Sequence, residues 1–313
     1  MNILIRCDSS NIIGTGHVMR CLNLCEYYPE NNYTFLCKEF NNNITSKIKE
    51  RYNLLLYKYK IEPSIVDYKT WLGCSTNEEI QILHSVLKDN NYDEIIIDHY
   101  GIDYVIEKEL IKYCKKITVI SDIFEYKHFC NVFINYNTDN EIELKKININ
   151  PNTIIKCGIA NIIINNKFRN VKKTVFRERI EKICIMMGGS DPRNYTLSII
   201  KKIGELEVFK NLEIYIIIGK SNIYYEIITE YCGKYRNIKL YYDINYDDLI
   251  KIYLDIDLCI GSLSITAYER LYMNVPQICM KIVDNQNIQN LKEFNICENI
   301  EEIFLKLVTF FSK

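Results

Sequence analysis

Two doubly wound α/β domains facing a cleft are the architecture that the sequence predicts. Short β-branched apolar runs recur along the chain, separated by segments long enough for a helix, and this alternation is typical of parallel strands with crossover helices. The 313 residues suffice for two ordinary domains, and the alternation breaks once, near the middle. We therefore expect one parallel sheet in each half, with ligands bound beyond the carboxyl ends of the strands.

The apolar runs locate the expected elements of each half. In the first half we expect strands at 2–7, 33–38, 94–99, 116–121 and 132–136, with helices at 17–28 and 78–89. The second half predicts strands at 182–187, 213–219, 238–242, 257–261 and 277–282. Between the halves, 161–175 is polar and aperiodic like a linker, so the domains are expected at 1–160 and 176–313.

Charge and hydropathy argue against two classes of partner. With 39 basic and 40 acidic side chains the net charge is −1, which offers no broad cationic field for nucleic acid. No apolar run approaches the length that spans a bilayer, and the opening MNILIRCD moves straight into a strand rather than a secretion signal. We expect a cytoplasmic monomer with neither a nucleic-acid nor a membrane partner.

The thirteen cysteines are scattered from Cys7 to Cys297, many of them inside apolar runs. This pattern is typical of buried thiols in a reducing compartment, not of a disulfide framework. Cys21 and Cys25 lie four residues apart, but neither flank supplies the second ligand pair of a zinc site. We expect no metal and no cofactor.

The loop after the first strand holds the leading catalytic candidate. Gly14 and Gly16 permit tight turns beside a ligand, and the start of the following helix favours an anion such as a diphosphate. The run lacks the third glycine of dinucleotide-binding loops and the full phosphate-loop pattern, which disfavours NAD and ATP. His17, in the first turn of the helix, has a side chain suited to general base catalysis. The alternative is that it caps or packs beside its helix.

The segment RCDSSNIIGTGHVMRCLNL resembles the opening of a hydrolase family. The family comprises the UDP-2,4-diacetamido-2,4,6-trideoxy-β-L-altropyranose hydrolases of pseudaminic acid biosynthesis, and its spore-coat polysaccharide relatives share the pattern R-x-D-x-S-x-x-I-G-x-G-H-x-x-R. The matching residues are Arg6, Asp8, Ser10, Ile13, Gly14, Gly16, His17 and Arg20. The resemblance implies that His17 is catalytic and that substrate is bound by Arg6, Asp8, Gly14, Gly16 and Arg20.

A second motif follows the expected strand 94–99. The same D-H-Y-G run occurs at the corresponding place in the family, which implies that Tyr100 touches the sugar or the attacking water near His17. We therefore expect Asp98 among the catalytic residues and His99 among the substrate-binding residues. Both are expected to orient the loop. The alternative is that these polar groups only satisfy backbone atoms at a strand end.

The run MMGGSDPRN opens the second domain and resembles the family's C-M-G-G-S-D-P-x-N, with Met186 in place of its cysteine. Its glycines bring backbone amides within reach of a phosphate, so Gly188, Gly189 and Ser190 are expected to bind substrate. Asp191 is expected to cap the next helix, with Pro192 at the first helical position.

The run GSLSITAYE resembles the diphosphate loop of sugar-nucleotide enzymes with the glycosyltransferase B architecture. The resemblance implies that Ser262, Ser264 and Thr266 cradle the diphosphate and that Glu269 binds the ribose diol. As a lone residue, Glu269 would be read as a solvated helix charge. Asn285 and Gln286 match the family's N-Q pair, which implies contacts to sugar hydroxyl or amide groups.

One position departs from the family. Where the family commonly shows S-D-D after the fourth strand, this chain has Ser121, Asp122 and Ile123. Asp122 is retained and the second carboxylate is lost. The change bears on which sugar is accepted.

Together the motifs cover nearly the whole chain and imply two Rossmann-like, glycosyltransferase B-like domains, with UDP mainly on the second. The implied reaction is hydrolysis of the UDP-sugar by water attack at the anomeric carbon, with His17 as base. One alternative is a glycosyltransferase of the same architecture, since a glycine-rich loop ending in His also occurs in the enzyme that adds N-acetylglucosamine to the cell-wall lipid intermediate. The other alternative is a non-catalytic nucleotide-sugar binding protein.

Overall fold

The computed structural model describes residues 1–88, 90–189, 191–207, 211–220, 222–282 and 294–311. The chain divides into two compact units, the first unit being residues 1–163 and the second unit the described residues from Ile164 onward. Residues 164–173 belong to the second unit. There Phe168 is buried beside the rings of Tyr246 and Tyr253, and the Lys173 N–H donates to the carbonyl of Met273.

The first unit is built on a seven-stranded sheet in the order β3-β2-β1-β4-β5-β6-β7, with every pair parallel. Its strands are β1 Asn2–Cys7, β2 Asn32–Lys38, β3 Asn53–Tyr57, β4 Glu94–Asp98, β5 Lys116–Ile120, β6 Val132–Asn135 and β7 Ile154–Cys157. Its helices are α1 Gly16–Tyr27, α2 Thr45–Lys49, α3 Thr76–Lys88, α4 Tyr104–Leu110 and α5 Glu141–Ile147, with 3₁₀ helices at Tyr68–Leu72 and Ile159–Asn161.

Both faces of the first sheet are buried, which is why its central strands are continuous apolar runs. Ile3 and Ile5 pack with α1 on one face, whereas Leu4 and Ile95 pack with α3 and α4 on the other. The alternation follows from the two-residue period of a strand.

The second unit has a six-stranded parallel sheet in the order β10-β9-β8-β11-β12-β13. Its strands are β8 Lys182–Met186, β9 Glu213–Ile218, β10 Ile238–Tyr242, β11 Leu258–Ser262, β12 Gln277–Met280 and β13 Asn295–Cys297. Its helices are α6 Asn166–Arg169, α7 Tyr195–Gly204, α8 Tyr225–Cys232, α9 Tyr246–Asp255, α10 Ile265–Tyr272 and α11 Ile300–Phe311.

The predicted doubly wound architecture is confirmed in each unit, and each of the ten predicted strands is present. Three further strands, β3, β7 and β13, were not predicted. Each lies at the edge of its sheet and is short, with 5, 4 and 3 residues respectively. Their side chains are less buried than those of the central strands, and β7 and β13 are too short to show a strand pattern.

The cysteines are buried thiols, as predicted. Twelve of the thirteen are buried, Cys157 is partly exposed, and none is in a disulfide. Within the described ranges, no helix combines the length and the apolar character needed to cross a membrane.

Candidate active site

The site of the first unit lies where the order of the sheet reverses. β1 and β4 are neighbours, but the helices that follow them, α1 and α4, pack on opposite faces of the sheet. Open α/β sheets bind ligands at such a point, beyond the carboxyl ends of the strands, because the loops there separate to opposite faces.

The loop from β1 to α1 is shaped by its own hydrogen bonds. The Ser10 hydroxyl accepts from the backbone N–H groups of Ile12 and Ile13, at 3.1 and 3.0 Å. Gly14 donates its N–H to the Ser10 carbonyl at 2.9 Å and has φ +81°, a conformation that favours glycine. This turn delivers the chain to α1, whose second residue is His17.

His17 is held by a buried carboxylate. Its Nδ1 lies 2.6 Å from Oδ1 of Asp98, the last residue of β4. Burial by itself would raise the pKa of Asp98, but the charge of Arg20 and the hydrogen bonds from Arg20 and His17 hold that pKa well below its usual range. Asp98 is therefore ionised and accepts, so the Nδ1 of His17 carries the proton. No described residue hydrogen-bonds to Nε2, which leaves this nitrogen available as a base.

Arg20 lies one helical turn after His17 and ties two carboxylates together. It donates to both oxygens of Asp98 at 2.7 and 2.6 Å, to Asp122 at 2.8 Å and to the Tyr136 hydroxyl at 2.6 Å. The side chain is buried and engaged with these groups. We propose that Arg20 positions Asp98, rather than binding the substrate as the resemblance implied.

Tyr100 is part of the same network. Its ring packs edge-on against the imidazole of His17, with centroids 4.7 Å apart, and its hydroxyl donates to Asp122 at 2.9 Å. Burial and the neighbouring Asp122 raise the pKa of Tyr100 well above its ordinary value. Tyr100 therefore stays protonated and cannot act as a base.

Arg6, Asp8 and His99 form a separate buried network. Arg6 donates to Asp8 at 2.6 Å and to Glu79 at 2.7 Å. The Nδ1 of His99 accepts the N–H of Gly101, so Nε2 carries the proton and donates to Asp8 at 3.1 Å. Burial lowers the pKa of His99, which keeps the ring neutral. These side chains are almost fully enclosed, and we propose that they hold the loops in place rather than contact the substrate.

Trp71 also lies beside His17, and it was not predicted as a site residue. It lies 2% exposed in the 3₁₀ helix Tyr68–Leu72, stacked on Tyr100 at 5.3 Å and edge-on to His17 at 5.9 Å. The available signal was that Trp71 is the single tryptophan of the chain. No motif marked it.

In the second unit the order of the sheet reverses between β8 and β11, and two predicted loops meet there. Gly188 has φ +92°, and a Cβ added to it would lie 3.3 Å from the Ser262 hydroxyl oxygen. The hydroxyl groups of Ser262, Ser264 and Thr266 form a chain with 3.0 Å steps. Ser264 precedes α10 but makes no capping hydrogen bond to it. The N-terminus of α10 thus keeps the character of an anion site.

Asp191 caps α7, as predicted, by accepting from the N–H groups of Tyr195 and Thr196 at 2.9 and 2.8 Å. The prediction for Pro192 is wrong, because α7 begins at Tyr195. A turn with Asn194 at φ +52° separates them, and the Asp191 side chain reaches across it. The predicted site residues Ser190, Asn285 and Gln286 lie outside the described residues; Gly189 is described, and a Cβ added to it would meet nothing within 4 Å.

Glu269 is a buried carboxyl group in α10. Its Oε2 has no hydrogen-bond partner among the described residues. The neighbouring Arg270 donates instead to Gln277, Thr266 and the carbonyl of Ser262. Burial raises the pKa of Glu269 to about 8, against the opposing charge of Arg270. The group is neutral at pH 7 in the absence of a ligand.

Comparison with curated proteins finds a matching hydrolase. The chain is 26% identical over 282 residues to the UDP-2,4-diacetamido-2,4,6-trideoxy-β-L-altropyranose hydrolase of Campylobacter jejuni, covering 89% of this chain and 92% of that protein. The resemblance to this hydrolase family is confirmed. An uncharacterized protein of Methanocaldococcus jannaschii is 25% identical over 292 residues, which are 90% of this chain and 55% of that protein. The chain therefore spans about half the length of this second relative. No family model matches the chain.

Solved structures with the same fold are enzymes of the glycosyltransferase B type. The glycosyltransferase of kitacinnamycin superposes with a TM-score of 0.65 at 7% identity, covering 100% of this chain and 91% of that one. MurG of Acinetobacter baumannii gives a TM-score of 0.58 at 13% identity, covering 98% and 90%. At these identities the likeness concerns the fold alone, and it confirms the predicted fold class.

Proposed function

We propose that this protein hydrolyses a UDP-activated diacetamido trideoxy sugar to the free sugar and UDP, in pseudaminic acid biosynthesis. The observation that carries the proposal is the state of His17, with Nδ1–H held by ionised Asp98 and Nε2 left without a partner among the described residues. A histidine in this arrangement is oriented to take a proton from a water molecule. The sequence likeness to a named UDP-sugar hydrolase supports the same reaction class.

The proposed step is a displacement at the anomeric carbon. Water attacks this carbon, its proton passes to Nε2 of His17, and the bond from the anomeric carbon to the diphosphate oxygen breaks with the electron pair leaving on UDP. With His17 neutral, Asp98, Asp122 and Arg20 sum to a charge of −1, so the network is electrostatically prepared to hold the imidazolium that forms. Proton transfer by such a positioned group contributes roughly 10²- to 10⁴-fold.

The second unit is proposed to bind the nucleotide. The first-turn amides of α10 and the hydroxyl chain of Ser262, Ser264 and Thr266 suit a diphosphate, because they offer donors and a positive helix end. The Glu269 carboxyl group suits the two hydroxyl groups of a ribose, because its Oε2 lacks a hydrogen-bond partner among the residues that the structure describes. A metal-independent reaction is part of this proposal.

The departure at Ile123 bears on the sugar. Where the family commonly has a second carboxylate, Ile123 is buried in an apolar cluster with Tyr100 and Trp71. The loop after β5 therefore carries one carboxylate, Asp122, where the family commonly has two.

The test is UDP release from a panel of UDP-sugars with no acceptor present, carried out in ¹⁸O-labelled water. We expect UDP and free sugar from the diacetamido trideoxy substrate, with the label on the sugar rather than on UDP. His17→Ala should abolish release, whereas the same replacement at His84, on α3, should leave it intact. Release only after an acceptor is added would indicate a transferase, and UDP-sugar binding without turnover would indicate a binding protein.

A further inference from the structure

The segments that follow β1 to β5 in the first unit each contribute one residue to an apolar cluster at the carboxyl edge of the sheet. Ile13 follows β1, Phe40 follows β2, Trp71 follows β3, Tyr100 follows β4 and Ile123 follows β5. Carboxyl-edge loops are ordinarily polar because they meet ligands and solvent. An apolar cluster that includes two ring neighbours of His17 therefore needs an explanation other than general core packing.

Trp71 makes ring contacts with both Tyr100 and His17. It stacks on Tyr100 at an interplanar angle of 22° and meets His17 edge-on at 80°, while Tyr100 meets the same imidazole at 87°. The imidazole thus has an aromatic neighbour in two directions and the Asp98 carboxylate at Nδ1. Rotation of the ring about its Cβ–Cγ bond would have to displace one of the two aromatic side chains.

The segment that carries Trp71 is itself fixed. The indole N–H donates to the carbonyl of Ser64 at 2.7 Å, and Asp67 caps the 3₁₀ helix by accepting from Lys69. Gly73 ends the helix at φ +66°, where an added Cβ would lie only 2.7 Å from the Cβ of Tyr59. Trp71 is therefore a rigid support rather than a mobile cover.

We propose that Trp71 is a positioning residue that fixes the rotation of the His17 imidazole, directly and through Tyr100. The inference rests on the proposed function, in which Nε2 of His17 must face the attacking water. Because Trp71 is almost fully buried, it acts on the chemical step without touching the substrate. Small displacements of a reacting group cost on the order of 10²-fold in rate.

The experiment compares Trp71→Leu with Phe133→Leu on the substrate hydrolysed in the panel. Phe133 is a suitable control, because it is a buried aromatic in the same unit that packs against another buried histidine, His128, at 5.0 Å. We expect Trp71→Leu to lower kcat by roughly 10- to 100-fold with KM unchanged, and Trp71→Phe to recover part of the loss. Phe133→Leu should change the thermal stability but leave kcat at the wild-type value. Equal kcat for Trp71→Leu and wild type, or equal losses in both leucine variants, would overturn the proposal.

A second readout needs no turnover, so it separates failure of this inference from failure of the proposed function. In protein labelled with ¹⁵N-histidine, we expect a protected Nδ1–H proton signal from His17, assigned by its absence in His17→Gln. The signal should broaden or vanish through exchange in Trp71→Leu and persist in Phe133→Leu. An unchanged signal in Trp71→Leu would show that Trp71 does not hold the ring, whatever the protein hydrolyses. If Trp71→Leu does not fold, Trp71→Phe gives the same comparison with a smaller expected effect.

Discussion

Binding of UDP should release a proton from Glu269. The carboxyl group is neutral at pH 7 because burial raises its pKa to about 8, and its Oε2 has no partner among the described residues. A ribose diol donates two hydrogen bonds, and an ionised carboxylate accepts both of them better than a carboxylic acid does. Nucleotide binding therefore favours the ionised form of Glu269. The affinity of the protein for UDP should rise with pH and level off once Glu269 is already ionised in the free protein.

The magnitude follows from the pKa. With a pKa of about 8, about a tenth of Glu269 is ionised at pH 7, and the apparent Kd is raised by the inverse of that fraction. We therefore expect UDP to bind about tenfold more weakly at pH 7 than above pH 9, a difference of about 1.4 kcal/mol. Close to one proton should leave at pH 7, and almost none at pH 9.

The assay is isothermal titration calorimetry with UDP in two buffers of different ionisation enthalpy, which counts the protons released. The terminal phosphate of UDP also titrates, so the quantity that matters is the difference between the wild type and Glu269→Gln. We expect that difference to approach one proton at pH 7. Equal proton release in both proteins would refute the role of Glu269, and the absence of any UDP binding would refute the assignment of the nucleotide to the second unit.

Three further substitutions test the remaining geometry. Asp98→Asn should lower kcat on the order of 10³- to 10⁴-fold, since the amide no longer enforces the Nδ1–H tautomer of His17; a loss below tenfold in steady-state assays would contradict the assigned base. Asp191→Ala should lower the free energy of unfolding by about 1–2 kcal/mol in urea titrations, because two amides of α7 lose their acceptor. Gly73→Ala should lower it by about 2 kcal/mol or more, from the positive φ and the close Tyr59, and a neutral effect would contradict the rigidity of that turn.

Much of the fold was predictable because its signals are local. A strand buried on both faces, such as β4, requires a continuous apolar run, and that requirement is visible in the sequence without any partner. The edge strands β3, β7 and β13 carry no such requirement. Each pairs with a single neighbouring strand, and this pairing is not visible in the short segment itself.

The motifs named His17, Asp98, Tyr100 and Arg20 as site residues, but not how they connect. Among the described residues, Nε2 of His17 is free because Asp98, 81 residues away in the chain, holds Nδ1. Asp98 reaches His17 because β1 and β4 are neighbours in the sheet.

The sequence by itself determined the two doubly wound units and the residues at their strand ends, because periodicity and loop composition are properties of contiguous segments. Only the tertiary structure decided what each polar residue meets. It enclosed Arg6 and Asp8, left Oε2 of Glu269 without a hydrogen-bond partner among the described residues, and brought Trp71 against His17. Burial and charge pairing depend on residues far apart in the chain, and no local pattern encodes them.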